Sequence, residues 1–406
     1  MNNKPLVVVG MSGGVDSSVA AYLLKQQGYN VVGLFMKNWE EKAADGCCTA
    51  EADFSDVKRV CEVLDIPYYA VNFAKQYRDR VFAAFTQGLA RGITPNPDIL
   101  CNREIKFGPF LAHAEKLGAE YIATGHYARL RSLPCHSARL RSSPCHSEER
   151  SDEESFCNAE MLFTEQKDSS LRSASFRMTQ GYVLQKGADD TKDQSYFLCG
   201  LNQRQLSRVL FPVGELKKDE VRAIAARLGL VTAQKKDSTG ICFIGERKFR
   251  DFMKTYLGNQ PGDIAMLDGT VVGRHQGLMY YTLGQRKGLN IGGFNNNTAR
   301  WFVVRKDLER NILFVSNGEC DEMFSRTLIA EGFNHIPREP AQKVFKCTAK
   351  VRYRQADQRA TAEILGGGRV RVTFDKPQRS VTPGQWVVLY NGDDCLGGGE
   401  ITEIYN

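Results

Sequence analysis

The chain has 406 residues, of which 42% are hydrophobic and 25% are charged, and its formal net charge is +7. This balance is typical of a globular protein with two or three domains and argues against a disordered or fibrous chain. No stretch approaches the roughly 18 apolar residues of a membrane span, and the apolar run at the N-terminus is too short for a signal peptide. We therefore expect a cytoplasmic protein without a membrane partner.

The first 130 residues alternate strand and helix patterns. Helices are predicted for residues 17–27 and from Thr49, where apolar residues recur on one helical face. The predicted strands are residues 6–9, 31–36, 68–73 and 121–124. Such alternation is typical of a parallel sheet that is covered on both faces.

A tandem repeat interrupts this pattern. Residues 128–137 read ARLRSLPCHS, residues 138–147 read ARLRSSPCHS, and a charged run follows. Nothing in this region has helical or strand period, so we predict that residues 131–175 are a disordered surface insertion. The repeated Pro-Cys-His-Ser resembles paired metal ligands, but no regular element fixes its geometry, and we predict no metal site.

The remainder of the chain combines helices with many short strands. Helices are predicted for residues 215–228 and 246–256, and Asp268-Gly269 indicates a hairpin. From residue 301 onwards the pattern favours a small antiparallel barrel. Its predicted strands are residues 301–305, 311–316, 344–353, 360–365, 369–374, 386–390 and 396–402. The predicted domains are 1–245, a small central domain at 246–300, and the barrel at 301–406.

A glycine- and serine-rich loop lies between the first strand and the first helix. Residues 10–18 read GMSGGVDSS. Glycines let backbone N–H groups approach an anion at a helix N-terminus, the serines offer hydroxyls to phosphate oxygens, and Asp16 can hold Mg²⁺ beside them. The structural alternative is a tight turn with capping serines. The loop has no Walker lysine, which argues against a P-loop kinase or GTPase.

Two cysteines lie in polar segments rich in glycine or proline. Residues 95–107, PNPDILCNREIKF, place Cys101 at the start of a helical stretch with Arg103 and Lys106 nearby, which favours a thiolate. Residues 237–245, DSTGICFIG, place Cys242 in a loop. Both could instead be buried structural thiols, but structural cysteines usually lie inside apolar patterns.

Basic residues cluster between positions 343 and 359. A cluster of this kind suits the phosphate backbone of a nucleic acid, and a solvated strand face explains it equally well. Its members are Lys343, Lys346, Lys350, Arg352, Arg354 and Arg359.

Several of these motifs resemble those of known families. Residues 12–17, SGGVDS, resemble the fingerprint of the PP-loop ATP pyrophosphatases, which cleave ATP between its α and β phosphates and adenylate a carbonyl oxygen. The two cysteine segments resemble those of the bacterial tRNA-specific 2-thiouridylases. So do the motifs at residues 123–129, 192–197, 281–289 and 351–355. The likeness spans nearly the whole chain except about residues 131–180.

This resemblance implies a fold and an activity. The fold would be α/β, with a doubly wound parallel sheet in a PP-loop domain, a small central domain and a C-terminal antiparallel β-barrel. The activity would be ATP-dependent 2-thiolation of the wobble uridine of tRNA. ATP, Mg²⁺, tRNA and a sulfur-relay protein or cysteine desulfurase would be the cofactors and partners.

The resemblance also implies residue roles. Cys242 would carry a persulfide, and Cys101 would complete sulfur release through a transient disulfide with it. ATP would contact Gly10, Met11, Ser12, Gly13, Gly14, Val15, Asp16, Ser17, Met36 and Gly125. The target base would face Asn96, Pro97 and Asp98, and tRNA would contact His126, Lys192, Asp193, Gln194, Arg352, Tyr353 and Gln385.

Two other functions are compatible with part of this pattern. A PP-loop amidotransferase would add nitrogen to an adenylated carbonyl, but it needs an ammonia source and no glutaminase segment is visible. A non-catalytic RNA-binding protein could keep the fold, but the presence of Asp16, Cys101 and Cys242 argues against it.

Overall fold

The computed structural model describes residues 4–39, 49–133, 181–237, 249–291 and 300–405. Cys242 and most of the predicted insertion lie outside the described residues. Within the described ranges, no helix is both long and apolar enough to cross a membrane.

The strands of the described residues are numbered in chain order. They are β1 (Leu6–Met11), β2 (Asn30–Lys37), β3 (Tyr68–Asn72), β4 (Tyr121–Ala123), β5 (Ala128–Ser132), β6 (Tyr182–Lys186), β7 (Val209–Leu210), β8 (Gly262–Met266), β9 (Val271–His275), β10 (Trp301–Asp307), β11 (Ile312–Asn317), β12 (Phe324–His335), β13 (Val344–Lys350), β14 (Gln358–Gly366), β15 (Arg369–Arg379), β16 (Trp386–Asn391) and β17 (Asp394–Tyr405).

The helices are numbered in the same way. They are α1 (Val15–Gln26), α2 (Thr49–Leu64), α3 (Ala74–Tyr77), α4 (Ala83–Ala90), α5 (Pro97–Cys101), α6 (Pro109–Lys116), α7 (Ser195–Leu198), α8 (Gln203–Leu206), α9 (Lys218–Arg227) and α10 (Phe249–Leu257). Arg78–Phe82 and Asn102–Lys106 are π-helical, and Leu278–Tyr280 and Asp321–Met323 are 3₁₀ turns.

The N-terminal part is a five-stranded parallel sheet with strand order β3-β2-β1-β4-β7. The apolar run of β1 has no exposed surface at Val7, Val8 or Val9, because both faces of the sheet are covered. Helices α1, α2 and α9 pack on one face, and the helices between β3 and β4 pack on the other. The predicted doubly wound sheet is confirmed.

The central part is a four-stranded mixed sheet with order β10-β11-β8-β9. Gly269 has a φ of 90° in the turn between β8 and β9, as the Asp268-Gly269 hairpin signal predicts. Strands β10 and β11 belong to this sheet, so assigning all strands after residue 301 to the barrel was wrong. The reason is that β11 pairs in parallel with β8, and its Leu313 and Val315 share a core with Ile264.

The C-terminal part is a closed antiparallel barrel of six strands, in the order β12-β15-β14-β13-β16-β17, and the pairing of β12 with β17 closes it. The predicted barrel is therefore confirmed, although β12 was not among the predicted strands. Register shifts between Ile329 and Ala330 and between Glu331 and Asn334 interrupt the alternation of β12, and this hid the strand in the sequence.

Strands β5 and β6 form a hairpin that carries the predicted insertion between them. They pair from Ala128 with Lys186 to Ser132 with Tyr182, and Gln185 of β6 pairs with Asp394 of the barrel. The prediction that the first decapeptide lacks regular structure was wrong at residues 128–132. These residues form a strand because β6, far along the chain, supplies its partner.

We predict that residues 134–180 are dispensable for folding and catalysis. Ser132 and Tyr182 already face each other, so a short Gly/Ser turn should join them, and loop-closure entropy for about 45 residues is worth only about 1–2 kcal/mol. Melting temperature and tRNA thiolation should match the parent chain. A control carries a Gly/Ser segment of the original length. A folded deletion variant without activity would contradict the prediction.

Candidate nucleotide and sulfur-transfer site

The loop that joins β1 to α1 is a tight turn with internally bonded serines. The Ser17 hydroxyl accepts a hydrogen bond from the Ser12 amide at 3.2 Å, and the Ser17 and Ser18 hydroxyls lie 3.2 and 2.8 Å from the Gly14 carbonyl. Gly13 has a φ of 74°, and a Cβ there would lie 2.7 Å from the Asp53 carbonyl. The N-cap of α1 is Gly14, and among the described residues no side chain caps it, so the serine hydroxyls hold the turn together while the first amides of the helix have no side-chain partner.

The predicted ATP-binding residues converge at this edge. Gly10 at the end of β1 packs closely against Met36 at the end of β2, since a Cβ on Gly10 would lie only 3.4 Å from the Met36 methyl group. A Cβ on Gly125 would lie 2.6 Å from the Ser17 amide, so the end of β4 packs directly on the first turn of α1. Strand order reverses between β1 and β4, and ligands of such sheets bind at that switch point.

Asp16, in the first turn of α1, has two partners that sequence reasoning missed. Tyr127 donates its hydroxyl to Asp16 Oδ1 at 2.7 Å, and Lys218 Nζ donates to both carboxylate oxygens at 2.7 and 2.8 Å. Burial and the neighbouring Asp16 raise the pKa of Tyr127 far above its usual value, so this phenol stays protonated and donating. Lys218 is buried at the first residue of α9.

Lys218 also joins Asp16 to a second carboxylate. Its Nζ lies 2.8 Å from Asp237 Oδ1, and Asp237 accepts further hydrogen bonds from Lys192 at 2.6 Å and Arg222 at 3.1 Å. Burial would raise the pKa of Asp237, but the hydrogen bonds from Lys192 and Lys218 lower it to about 2. The site is thus a network of charged side chains, and Asp237 is the first residue of the segment that contains Cys242.

Cys101 lies at the end of a short helix and not, as was predicted, at the start of one. The Asn96 side chain accepts hydrogen bonds from the amides of Asp98 and Ile99 at 3.2 and 3.3 Å, so α5 begins at Pro97 and Cys101 is its last residue. The prediction that Cys101 starts a helical stretch was wrong, because Asn96 and Pro97 are themselves the N-terminal signals. Cys101 is fully buried, and a π-helical turn follows it directly.

Three predicted tRNA contacts make internal contacts beside Tyr127. Burial and the charge of Lys106 hold the pKa of His126 well below its usual range, so the ring is neutral, and its Nδ1 lies 2.6 Å from Thr124 Oγ1. Asp193 is buried and accepts hydrogen bonds from the amides of Gly187 and Ser195. Gln194 Oε1 accepts a hydrogen bond from the Tyr127 amide at 3.0 Å.

The other predicted tRNA contacts join the barrel to the rest of the chain. Arg352 donates to the carbonyls of Ser380 at 2.8 Å and Leu283 at 3.1 Å. The rings of Tyr353 and Phe197 lie 4.3 Å apart. Gln385 donates to the Thr94 carbonyl at 2.7 Å, two residues before Asn96.

Buried amides provide a test of whether this site suits a nucleotide. Asn38, two residues beyond Met36, is 1% exposed, and neither atom of its carboxamide has a hydrogen-bond partner. Asn102, directly after Cys101, has an unpartnered buried Oδ1. An unpaired buried group of this kind costs about 1–3 kcal/mol, and the donor and acceptor edge of a nucleobase would satisfy it. The residues fit a nucleotide.

Magnesium fits only together with phosphates. The described ranges contain no group of three or more His, Cys, Asp or Glu side chains that could hold a metal. Asp16 is the single carboxylate of the loop, and Mg²⁺ in such sites is held by one or two carboxylates together with substrate phosphates.

The parallel sheet and its glycine-rich loop define a PP-loop ATP-binding domain of the HUP type. Residues 5–246 match the family model described as a tRNA methyl transferase HUP domain. Residues 250–317 match a tRNA methyl transferase PRC-barrel domain, and residues 325–401 match an aminomethyltransferase beta-barrel domain.

Two relatives cover nearly the whole chain. The tRNA-specific 2-thiouridylase MnmA of Alkaliphilus oremlandii is 52% identical over 399 residues, covering 98% of this chain and 97% of the relative. The enzyme of the same name from Lysinibacillus sphaericus is 50% identical, covering 98% and 94% respectively. The chain belongs to the tRNA-specific 2-thiouridylase family.

We predict that Asp16→Asn abolishes activity without unfolding the protein. The change preserves side-chain volume but removes the charge that Lys218 and Tyr127 contact, so the thiolation rate should fall by at least about a hundredfold. Melting temperature and tRNA thiolation would be measured together. Asp65→Asn is the control, since it removes an exposed carboxylate that pairs with Lys25 away from the loop. Full activity of Asp16→Asn would overturn the nucleotide assignment.

Proposed function

We propose that this chain is an ATP-dependent tRNA sulfurtransferase of the cytoplasm that converts the wobble uridine of tRNA to 2-thiouridine. The observation that carries the proposal is the sequence identity of about 50%, over nearly the full length, to tRNA-specific 2-thiouridylases. The glycine-rich loop of residues 10–18 lies at the switch point of the sheet, where an ATP-binding loop is expected. A sulfur-relay protein or cysteine desulfurase would supply the sulfur.

The first step is adenylation of the base. Asn96, Pro97 and Asp98 would face the uracil, whose C2 oxygen attacks the α-phosphate, forms a C–O–P bond and expels diphosphate. Magnesium held by Asp16 and the phosphates would neutralise charge on the leaving diphosphate. The N-terminus of α1 would lie beside that charge. Side chains at positions 13 and 125 would clash with Asp53 and with the first turn of α1, so glycines at these positions leave the backbone amides close to the phosphates.

The second step transfers sulfur. The terminal sulfur of a Cys242 persulfide attacks C2 of the adenylated base, the C–O bond breaks, and AMP leaves with the former carbonyl oxygen. The base is then joined to Cys242 through an S–S bond. The Cys101 thiolate attacks the Cys242 sulfur, a Cys101–Cys242 disulfide forms, and the thiocarbonyl is released. A cellular dithiol must then reduce the disulfide.

Burial of Cys101 adds a condition to this sequence. Cys101 has no surface exposed to solvent, and we infer that α5 or the π-helical turn after it shifts when substrate binds, so that its sulfur meets that of Cys242. The contact from Gln385 to Thr94 ties the start of this segment to the barrel, so a barrel that docks tRNA can transmit that movement.

The tRNA contacts divide into two groups in this proposal. Lys192, Arg352, Tyr353 and Gln385 are partly exposed or lie at the junction of the barrel with the catalytic part, and we assign them to tRNA. His126, Asp193 and Gln194 would act on tRNA indirectly, by holding Tyr127 and the segment around it.

The proposed function is tested by product analysis. The protein is incubated with tRNA, ATP, Mg²⁺ and a persulfide donor, and the nucleosides are examined by mass spectrometry. We expect 2-thiouridine, AMP and diphosphate. ATP turnover with nitrogen rather than sulfur in the product would favour the amidotransferase, and tRNA binding without ATP turnover would favour the non-catalytic RNA-binding protein.

We predict that Cys242→Ser and Cys101→Ser both stop turnover, but at different steps. With a radiolabelled persulfide donor, the Cys242 variant should accept no sulfur, because it lacks the carrier thiol. The Cys101 variant should accept sulfur and then stall with tRNA attached through a reducible bond. Cys61→Ser is a control, since Cys61 is buried in the core between the sheet and α2. Equal labelling of the two variants would contradict these roles.

A further inference from the structure

We propose that Lys218 binds the ATP phosphates in this site, taking the place of the lysine that the loop itself lacks. The inference rests on the proposed function and extends it, because none of the motifs that suggested an ATP site includes this residue. It follows from the geometry around Asp16.

The loop has no cation of its own. Residues 10–18 contain one acidic residue and no lysine or arginine, so the loop alone would meet a polyphosphate with a negative charge. Backbone amides and serine hydroxyls offset part of that repulsion. Besides Mg²⁺ held at Asp16, any positive side chain at the phosphates has to come from elsewhere in the chain.

Lys218 supplies such a charge at this position. It lies 202 residues further along the chain, yet its ammonium reaches both oxygens of Asp16 at 2.7 and 2.8 Å. It is buried, and its Nζ lies 5.7 Å from the centroid of the Tyr127 ring. Burial strengthens a charge interaction because water screens it less.

The surrounding network prepares this lysine for an anion. Lys192, Lys218 and Arg222 face three carboxylates: Asp16, Asp237, and Asp189, which accepts a hydrogen bond from the Lys218 amide at 2.9 Å. The network is balanced as it stands, and a cation bound at Asp16 would leave one positive charge in excess. Lys218 is also the first residue of α9, and the bond from its amide to Asp189 fixes the start of that helix.

An ammonium group has three protons, and here two carboxylates accept them. Mg²⁺ held by Asp16 would compete for that carboxylate, and the protons that Lys218 directs at it would then be free to donate to a phosphate oxygen. Asp237, 2.8 Å away, keeps the lysine in place throughout the exchange.

A purely structural role makes a different prediction. If Lys218 served only to hold α9 against α1, its loss would loosen the whole pocket and weaken every nucleoside ligand alike. If it contacts the phosphates, its loss weakens ligands in proportion to the phosphates they carry. The two roles separate in a comparison of ATP, AMP and adenosine.

The experiment measures the affinities of these three ligands for the full chain in the presence of Mg²⁺, by calorimetry without tRNA. Lys218→Gln removes the charge but keeps a hydrogen-bond donor for Asp16 and Asp237, and Lys218→Arg keeps the charge. Lys25→Met is the matched control, since Lys25 lies in the last turn of α1 and bonds to Leu64 and Asp65. Melting temperatures show that each variant is folded.

We expect Lys218→Gln to weaken ATP by about tenfold to a hundredfold, the loss of one charge-assisted hydrogen bond, while adenosine binds as before. Lys218→Arg should recover part of the loss, and Lys25→Met should change nothing. Equal weakening of ATP and adenosine, or unchanged ATP binding, would overturn the proposal. This experiment does not depend on thiolation. A parent chain that binds ATP but forms no 2-thiouridine would refute the proposed function without contradicting the role of Lys218.

Discussion

The ion pair between Asp16 and Lys218 is the interaction on which the proposed site depends. It joins the first turn of α1, which the glycine-rich loop positions, to the first residue of α9. Tyr127, directly before β5, donates to the same carboxylate, and Asp237, the first residue of the Cys242 segment, bonds to Lys218. Three parts of the chain that are far apart in sequence therefore meet at one carboxylate, and Lys218 links them to Asp237. A change in charge at that carboxylate reaches each of them.

A second constraint is the attachment of the barrel to the catalytic part. Tyr196 donates its hydroxyl to the Trp386 carbonyl at 2.9 Å, and Lys186 of β6 pairs with Asp357 at 2.7 Å. Lys350, one of the basic residues considered for RNA binding, is instead buried between Asp193 and Asp357. Breaking one partner of such a buried pair is costly, since it leaves a charge uncompensated. These buried polar contacts tie the barrel to the catalytic part.

Local patterns predicted the elements whose signals are local. The loop at residues 10–18, the buried valines of β1 and the amphipathic helix α9 depend on neighbouring residues, and they formed as expected. The strand β12 and the hairpin strand β5 were missed because bulges or a distant partner define them.

The site shows the same division. Tyr127 and Lys218 contact Asp16 across 111 and 202 residues of sequence, and no local motif encodes such a meeting. The burial of Asp193 and His126 likewise depends on the tertiary structure. Their motifs predicted contacts with tRNA, whereas the structure buries both side chains inside the protein. Family motifs identified the chemistry here, whereas the fold decides which polar residues are free to touch a substrate.

The most direct test of the central claim follows the oxygen that thiolation removes. A substrate tRNA is prepared with a heavy oxygen isotope at C2 of the target uridine, and AMP is isolated after a single turnover. An adenylated base predicts that the label appears in the phosphate of AMP, because the C–O bond breaks while the O–P bond is kept. Label in water or in diphosphate, with unlabelled AMP, would contradict the account.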